Sequence, residues 1–190
     1  MASGLVSPLL DQETFTVADY EAMPEDGHQY QLIHGTLIMS PSPIWYHQRL
    51  QIVIGGLMEV YLMENLLGKV AASPMDVYLG PHVLQPDILF ISKEREHITS
   101  DRVVRGAPEL VVEILSPSNA RQDLVVKREI YQEYGVQEIW FVSPNQRAFE
   151  IQRREGIGYT APFLLKDGDI LTTPLLPGFS MNVTRVFDRA

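Results

Sequence analysis

Two acidic residues interrupt apolar runs of the kind that form buried β-strands. Asp87 falls in the run QPDILFI (85–91), and Glu113 falls in the run LVVEIL (110–115). A charged side chain inside such a run costs roughly several kcal/mol unless it is paired or bound to a metal ion. We therefore expect the two carboxylates to converge on a common partner.

A third charged residue, Lys127, is also predicted to face the core. The pattern of residues 119–134 predicts a helix, on which Leu124, Lys127, Tyr131 and Tyr134 recur at helical spacing. A stripe with this spacing normally faces a sheet. Lys127 thus occupies an inward position where an aliphatic residue would be expected.

Carboxylate oxygens are the ligands that Mg²⁺ and Mn²⁺ prefer. Such an ion can activate a water molecule towards a phosphodiester and stabilise the charge that develops. A neighbouring lysine can orient or deprotonate that water and offset phosphate charge. The three residues therefore predict a metal site at Asp87 and Glu113, with Lys127 acting on the water.

The same residues also have purely structural interpretations. Asp87 can cap the entry of its strand, and Glu113 with Lys127 can form a buried structural ion pair. Lys127 can also extend past Leu124 towards solvent or pair with Asp123 one turn earlier on the helix. The sequence alone leaves these alternatives open.

Three further residues are candidates for substrate contact. His47 falls just inside a predicted helix and can contact a phosphate or a metal, although a hydrogen-bonded structural histidine is the commoner outcome. Arg121 lies near the start of the helix that carries Lys127, and Tyr131 lies one turn beyond that lysine. Trp45 is expected to pack, and His82 to lie in a loop without a catalytic role.

The elements that must position these residues follow from periodicity and from Gly and Pro signals. Thr16 is a candidate N-cap for a short helix over residues 17–23, and Gly35 is a hairpin turn between strands over 30–33 and 36–39. A long helix is predicted over residues 44–67, with Gly68 as its C-cap. Further strands are predicted at 69–72, 75–79, 86–91, 109–115, 138–142, 148–153 and 159–164, with a loop and short helix over 93–104. This order predicts an α/β protein, in the α+β sense, with a mixed sheet.

Composition limits the class of protein. The chain has 190 residues, of which 45% are hydrophobic and 21% charged, as in a globular domain. We expect one domain over 1–190, with residues 1–12 as a flexible tail. There is no cysteine, no apolar run long enough for a membrane span and no signal-peptide pattern, which favours a cytoplasmic protein. The net charge of −9 argues against a surface that is basic throughout.

Several linked motifs resemble one family of bacterial proteins. They are YQLIHGTLIMSPSP (30–43), HQR (47–49), QPDILF (85–90), GAPELVVEILSPS (106–118), the spacing from Asp123 through Lys127 to Tyr131, and PLLPG (174–178). In this order they resemble the Uma-type family, described as candidate restriction endonucleases of the PD-(D/E)xK nuclease superfamily. The resemblance covers roughly residues 14–187. It implies a restriction-endonuclease-like core, in which a mixed central sheet is flanked by helices after an N-terminal helix and hairpin.

The resemblance also implies roles for individual residues. It places Asp87 at the family's metal-binding aspartate and Glu113 at its second acidic ligand. Leu115 stands where the superfamily motif has lysine, and Lys127 then supplies that lysine from the following helix. Gln31 stands where a Tyr-Glu-Leu pattern has an acidic residue. An amide there contributes no negative charge, which weakens the expected metal affinity.

Together these observations predict an Mg²⁺- or Mn²⁺-dependent endonuclease that hydrolyses DNA, with Asp87, Glu113, Lys127 and Gln31 in its active site. The main alternative is a nuclease-fold protein that binds nucleic acid or a protein partner without cutting, which Gln31 and the negative net charge favour. A third alternative is an enzyme acting on another phosphate ester, such as a nucleotide. By analogy with dimeric nucleases of the superfamily, a homodimer is the expected assembly.

Overall fold

The computed structural model describes residues 14–24, 26–40, 42–116 and 122–190, except for the side chains of Gln122 and Asp123. The predicted tail over 1–12 lies outside the described residues. So do Arg121 and the predicted start of its helix at Asn119.

Helices and strands alternate irregularly along the described residues. The helices are α1 (Val17–Glu21), α2 (Trp45–Glu64), α3 (Gln122–Tyr134) and α4 (Val183–Arg189), with a 3₁₀ helix over Lys93–Ile98. The first strands are β1 (Gln29–Ile33), β2 (Thr36–Ser40), β3 (Gly68–Ala72), β4 (Asp76–Leu79), β5 (His82–Leu84), β6 (Ile88–Ser92), β7 (Val103–Arg105) and β8 (Leu110–Ile114). The later strands are β9 (Glu138–Ser143), β10 (Ala148–Glu155), β11 (Gly158–Tyr159), β12 (Phe163–Leu165), β13 (Ile170–Leu171) and β14 (Met181–Asn182).

A mixed sheet forms the centre of the protein. Its strands run in the order β11-β10-β9-β8-β6-β3, and β12 pairs with β10. Strands β8 and β9 are parallel, whereas the pairs β3–β6, β6–β8 and β9–β10 are antiparallel. A smaller sheet has the order β2-β1-β5-β4-β7. The predicted α+β class with a mixed central sheet and flanking helices is confirmed.

Each face of the central sheet has its own apolar core. One face packs against the inward residues of α2 and α4. The other face packs against α3 and the smaller sheet. Residues alternate between the faces as a pleated strand requires, so Ile88 and Phe90 join the first core while Leu89 and Ile91 join the second.

The pairing of β6 with β8 determines where the two acidic residues lie. Ile88 is opposite Val112, and Leu89 is opposite Val111, in an antiparallel register. One further step in this register places Asp87 opposite Glu113. The two carboxylates are therefore neighbours at the point where β6 begins and β8 ends.

The N-terminal helix and hairpin form as predicted. Thr16 caps α1 by accepting a hydrogen bond from the Asp19 backbone N–H, and the Asp19 side chain accepts from the Thr16 N–H. His34 and Gly35 form the two-residue turn between β1 and β2, with φ values of 49° and 74°. Positive φ at both positions is the requirement of a type I′ turn.

The long helix α2 ends earlier than predicted. It runs from Trp45 to Glu64, and Asn65 is its C-cap. Gly68 is not the cap but the first residue of β3, where a Cβ atom would clash with the carbonyl oxygen of Ile91. Close approach of two strands, rather than helix termination, therefore explains this glycine.

Other predictions about single elements are wrong. His82 lies in strand β5, where it is buried, rather than in the predicted loop. Trp45 was expected to pack, yet it is 76% exposed. Helix α4 was not predicted, because its seven residues offer too short a periodic pattern. Within the described residues, no helix is both long and apolar enough to cross a membrane.

Candidate active site

Asp87 lies at the end of the central sheet, directly before β6. Its Oδ2 atom accepts a hydrogen bond from the Ile114 backbone N–H at 2.7 Å. The side chain thereby satisfies a backbone donor at the last residue of β8. Asp87 therefore has the structural role that the sequence left open, because it accepts a backbone hydrogen bond. It also lines the pocket described below.

Glu113 is held by two side chains of helix α3. Lys127 donates to its Oε2 atom at 2.9 Å, and the Tyr131 hydroxyl donates to its Oε1 atom at 2.5 Å. Only 5% of Glu113 and 9% of Lys127 are exposed. Lys127 therefore faces inward, as predicted.

A pocket of about 290 Å³ collects these residues at one end of the sheet. Its walls come from the β1–β2 hairpin, the start of α2, the β6 and β8 strand ends and α3. The residues of the predicted site that line it are Gln31, His47, Asp87, Glu113 and Lys127. Polar groups from five separate segments of the chain thus converge on one concave surface, as in a binding or catalytic site.

His47 reaches the pocket from the first turn of α2. Its Nε2 atom lies 3.3 Å from Asp87 Oδ2. Within the described part of the chain, its Nδ1 atom is buried without a hydrogen-bond partner. Burial lowers the pKa of His47, but the hydrogen bond to Asp87 and the negative charges of Asp87 and Glu113 outweigh it, so the pKa is raised.

Burial dominates the titration of Glu113 and Tyr131. The loss of water around Glu113 raises its pKa, and the positive charge of Lys127 offsets that effect only in part. The negative charge of Asp87 raises the pKa of Glu113 further. Burial and the contact with Glu113 also raise the pKa of Tyr131, so its hydroxyl remains a proton donor to the carboxylate.

Gln31 lines the pocket from strand β1. Its Nε2 atom donates to Ser40 Oγ at 3.1 Å, and its Oε1 atom accepts from the Gln85 backbone N–H at 3.2 Å. The amide thus bridges the hairpin and the segment that leads to Asp87. It stands in the predicted site without adding a carboxylate.

Comparison with known proteins identifies the family of this chain. A family model, Uma2, described as "Putative restriction endonuclease", matches residues 17–184. The chain belongs to this family. No curated protein matches the chain.

A solved structure from Anabaena variabilis ATCC 29413, described as a putative nuclease belonging to DUF820, has a similar fold. The TM-score is 0.81 at 17% sequence identity, and the match covers 92% of this chain and 98% of that one. At this identity the likeness concerns the fold. The nuclease-like fold expected from the motifs is therefore confirmed.

The predicted residues of this Uma2 family member fall into two groups by position. Gln31, His47, Asp87, Glu113 and Lys127 line the pocket. Tyr131 does not reach it, because it is fully buried behind Glu113. In the structure its hydroxyl donates a hydrogen bond to Glu113. Arg121 lies outside the described residues.

Sequence reasoning missed the residue that holds the Asp87 backbone in this Uma2 site. The Gln51 side chain, on α2, donates to the Asp87 carbonyl at 2.9 Å and to Ser73 Oγ at 2.9 Å. A polar residue one turn after His47 was the available signal, since both side chains leave the helix on similar sides. The contact itself depends on how α2 crosses the sheet.

The family implies a metal ion, and the side chains of this Uma2 site fit a hard divalent cation in kind. Asp87 and Glu113 are adjacent carboxylates on the pocket wall, and carboxylate oxygens can accept more than one contact each. Mg²⁺ is commonly bound by one or two carboxylates, with water and substrate phosphates as its other ligands. Across the described ranges, no group of three or more His, Asp or Glu side chains is arranged to hold a metal.

Proposed function

We propose that this protein is a divalent-metal-dependent endonuclease that hydrolyses phosphodiester bonds in DNA. The observation that carries the proposal is the convergence of Asp87, Glu113 and Lys127 on one pocket of a nuclease-like fold. Family membership supports it as well. Mg²⁺ or Mn²⁺ is the proposed cofactor, DNA the proposed substrate and the cytoplasm the proposed location.

Asp87 and Glu113 would hold the metal ion, which when bound supplies Lewis acidity and a water molecule with a lowered pKa. Lys127 has two roles in this proposal. Its ammonium group orients Glu113 through the 2.9 Å contact, and it brings positive charge to the wall where an anionic phosphate would lie. Tyr131 is a positioning residue that fixes the second oxygen of Glu113.

His47 extends this arrangement next to Asp87. Its Nε2 atom orients Asp87, and the hydrogen bond to that carboxylate raises the pKa of the imidazole against the opposing effect of burial. A protonated imidazole at this position attracts phosphate, which agrees with the predicted role in substrate contact. Gln31 completes the wall with an amide that can donate a hydrogen bond to the same anion.

The test is a cleavage assay on supercoiled and linear DNA at low salt, with Mg²⁺ or Mn²⁺. We expect the wild type to cut, and Asp87→Asn and Lys127→Met to lose about 100-fold or more in rate. Lys166→Met is the matched control, because Lys166 is exposed and does not line the pocket. Equal loss in the control would point to a general effect of charge on DNA binding.

The second candidate function is binding of nucleic acid or a protein partner without cleavage. Two observations favour it: Gln31 replaces an expected carboxylate, and both oxygens of Glu113 already accept hydrogen bonds within the protein. A wild type that binds DNA, yet leaves it intact with either metal, would support this function over the endonuclease. Cleavage of nucleotides but not of DNA would instead favour the third alternative, a different phosphate ester.

A further inference from the structure

Helix α2 exposes an apolar stripe on the side that faces away from the sheet. Trp45, Ile52, Val60 and Met63 lie on this outer stripe and are 76%, 62%, 64% and 71% exposed. The inward face of the same helix is also apolar, with Leu50, Ile54, Met58 and Leu62 buried in the core. A helix that is apolar on both faces is normally covered on both.

Gly56 lies in the middle of the outer stripe, and the fold of one chain does not account for it. A Cβ atom at this position would meet nothing within 4 Å, so no neighbour in the protein requires glycine there. Glycine lowers helix propensity in a helix interior. It does, however, allow the backbone of a second helix to approach closely. The residue is thus explained by a partner that packs across it.

The outer stripe is symmetric about Gly56, with apolar residues at equal distances before and after the glycine. Ile52 lies four residues before the glycine, and Val60 lies four residues after it. Two α2 helices that cross antiparallel at Gly56 would therefore place Ile52 of each copy against Val60 of the other. Contacts of this reciprocal kind are those of a two-fold symmetric dimer.

The charges along α2 match the same arrangement. The half of the helix before Gly56 carries Arg49, and the half after it carries Glu59 and Glu64. Antiparallel packing places the positive half of one helix beside the negative half of the other. A parallel arrangement would instead bring like charges together.

We propose that the protein forms a homodimer through antiparallel packing of two α2 helices, centred on Gly56. The partner is a second copy of this chain, because the apolar pattern and the charge pattern are both complementary to themselves. In this register Met63 of one copy would lie opposite Arg49 of the other, one helical turn from Trp45. The proposal does not depend on endonuclease activity.

The first test is the oligomeric state, measured by sedimentation velocity over a series of protein concentrations. We expect a wild-type dimer and, for Val60→Glu, a dissociation constant raised about 100-fold, because the interface would bury an unpaired carboxylate. Ile157→Glu is the matched control, since Ile157 is 91% exposed in the turn between β10 and β11 and should leave the dimer intact. Circular dichroism of each variant verifies the fold.

The second test maps the geometry by disulfide cross-linking, which is clean because the chain has no cysteine. In the antiparallel dimer the two copies of residue 52 are separated by about 12 Å along the helix axes, too far for a disulfide, whereas residue 52 of one copy is opposite residue 60 of the other. Oxidation of a mixture of Ile52→Cys and Val60→Cys should therefore cross-link more than either variant alone.

Three results would overturn the proposal. They are a wild type that stays monomeric over the whole concentration series, a dimer that persists in Val60→Glu, and a mixture that cross-links no better than its components. The first would leave the outer stripe to a partner of another kind. The other two would move the interface to a different surface.

Discussion

Lys127 Nζ lies 2.9 Å from Glu113 Oε2, and this ion pair is buried between helix α3 and strand β8 while one side of it lines the pocket. The pair is therefore both a part of the core and a part of the proposed active site. Burial raises the pKa of Glu113, and the charge of Lys127 acts in the opposite direction. Changes to either residue should consequently alter stability as well as activity.

The variant Lys127→Met should remain folded but become less stable. Its free energy of unfolding should fall by about 3–5 kcal/mol near neutral pH, because Glu113 would be left buried without its cation. The loss should shrink at low pH, where Glu113 is protonated and needs no counter-charge. Urea denaturation over a pH series measures both effects, and circular dichroism verifies the fold. An unchanged cleavage rate in this variant would remove Lys127 from the mechanism.

Glu113→Gln tests the pair from its other side. We expect this variant to lose stability as well, because Lys127 would then be the unpaired buried charge. The double variant Glu113→Gln/Lys127→Met should recover part of the loss, and the cycle of four proteins isolates the coupling between the two side chains. If Glu113→Gln were more stable than the wild type, repulsion between the Asp87 and Glu113 carboxylates would outweigh the ion pair.

Tyr131→Phe removes one donor to Glu113 while it keeps the buried ring. The hydrogen bond from Tyr131 lowers the pKa of Glu113, so its loss should raise that pKa further. We expect a stability loss of about 1.5–3 kcal/mol, as for hydrogen bonds to charged groups. If the enzyme proposal holds, the acid limb of the pH–rate profile should shift to higher pH. Lower activity without such a shift would assign Tyr131 a structural role only.

His47→Gln should change how stability depends on pH. The pKa of His47 is raised in the folded protein, so the folded state binds its proton more tightly than the unfolded state does. This contribution is fully present below the unfolded pKa of about 6.5 and is lost as pH rises through the folded pKa. Wild type should therefore exceed His47→Gln in stability by more at pH 5.5 than at pH 9. A difference that is constant over this range would contradict the interaction with Asp87.

Much of the central fold was predictable because strong local signals and tertiary packing agree. The strand runs around Asp87 and Glu113 are apolar over their length, and the stripe of α3 has clear helical spacing. Lys127 was identifiable as the charged member of that stripe. The adjacency of Asp87 and Glu113 then followed from the antiparallel pairing of their strands.

Contacts that depend on how elements cross were not predictable. The interaction of His47 with Asp87 requires the start of α2 to meet the end of the sheet, and no local pattern reports this. Gly68 was misassigned because a helix cap and a close approach of strands both select glycine. The exposure of Trp45 was missed because an apolar residue type does not show which side of a helix is covered.

Gln31→Glu should strengthen metal binding by supplying the carboxylate that the motif resemblance led us to expect at this position. A glutamate there can still accept the Gln85 N–H, and it can accept from the Ser40 hydroxyl instead of donating to it. We expect Mg²⁺ and Mn²⁺ to bind about tenfold more tightly by calorimetry, equivalent to about 1.4 kcal/mol. Gln29→Glu is the matched control, because Gln29 lines the same pocket from the same strand. Equal gains in both variants would indicate a general effect of negative charge. A specific gain that Asp87→Ala abolishes would place Gln31 in the metal site, and a rise in DNA cleavage with it would show that the amide limits catalysis in this protein.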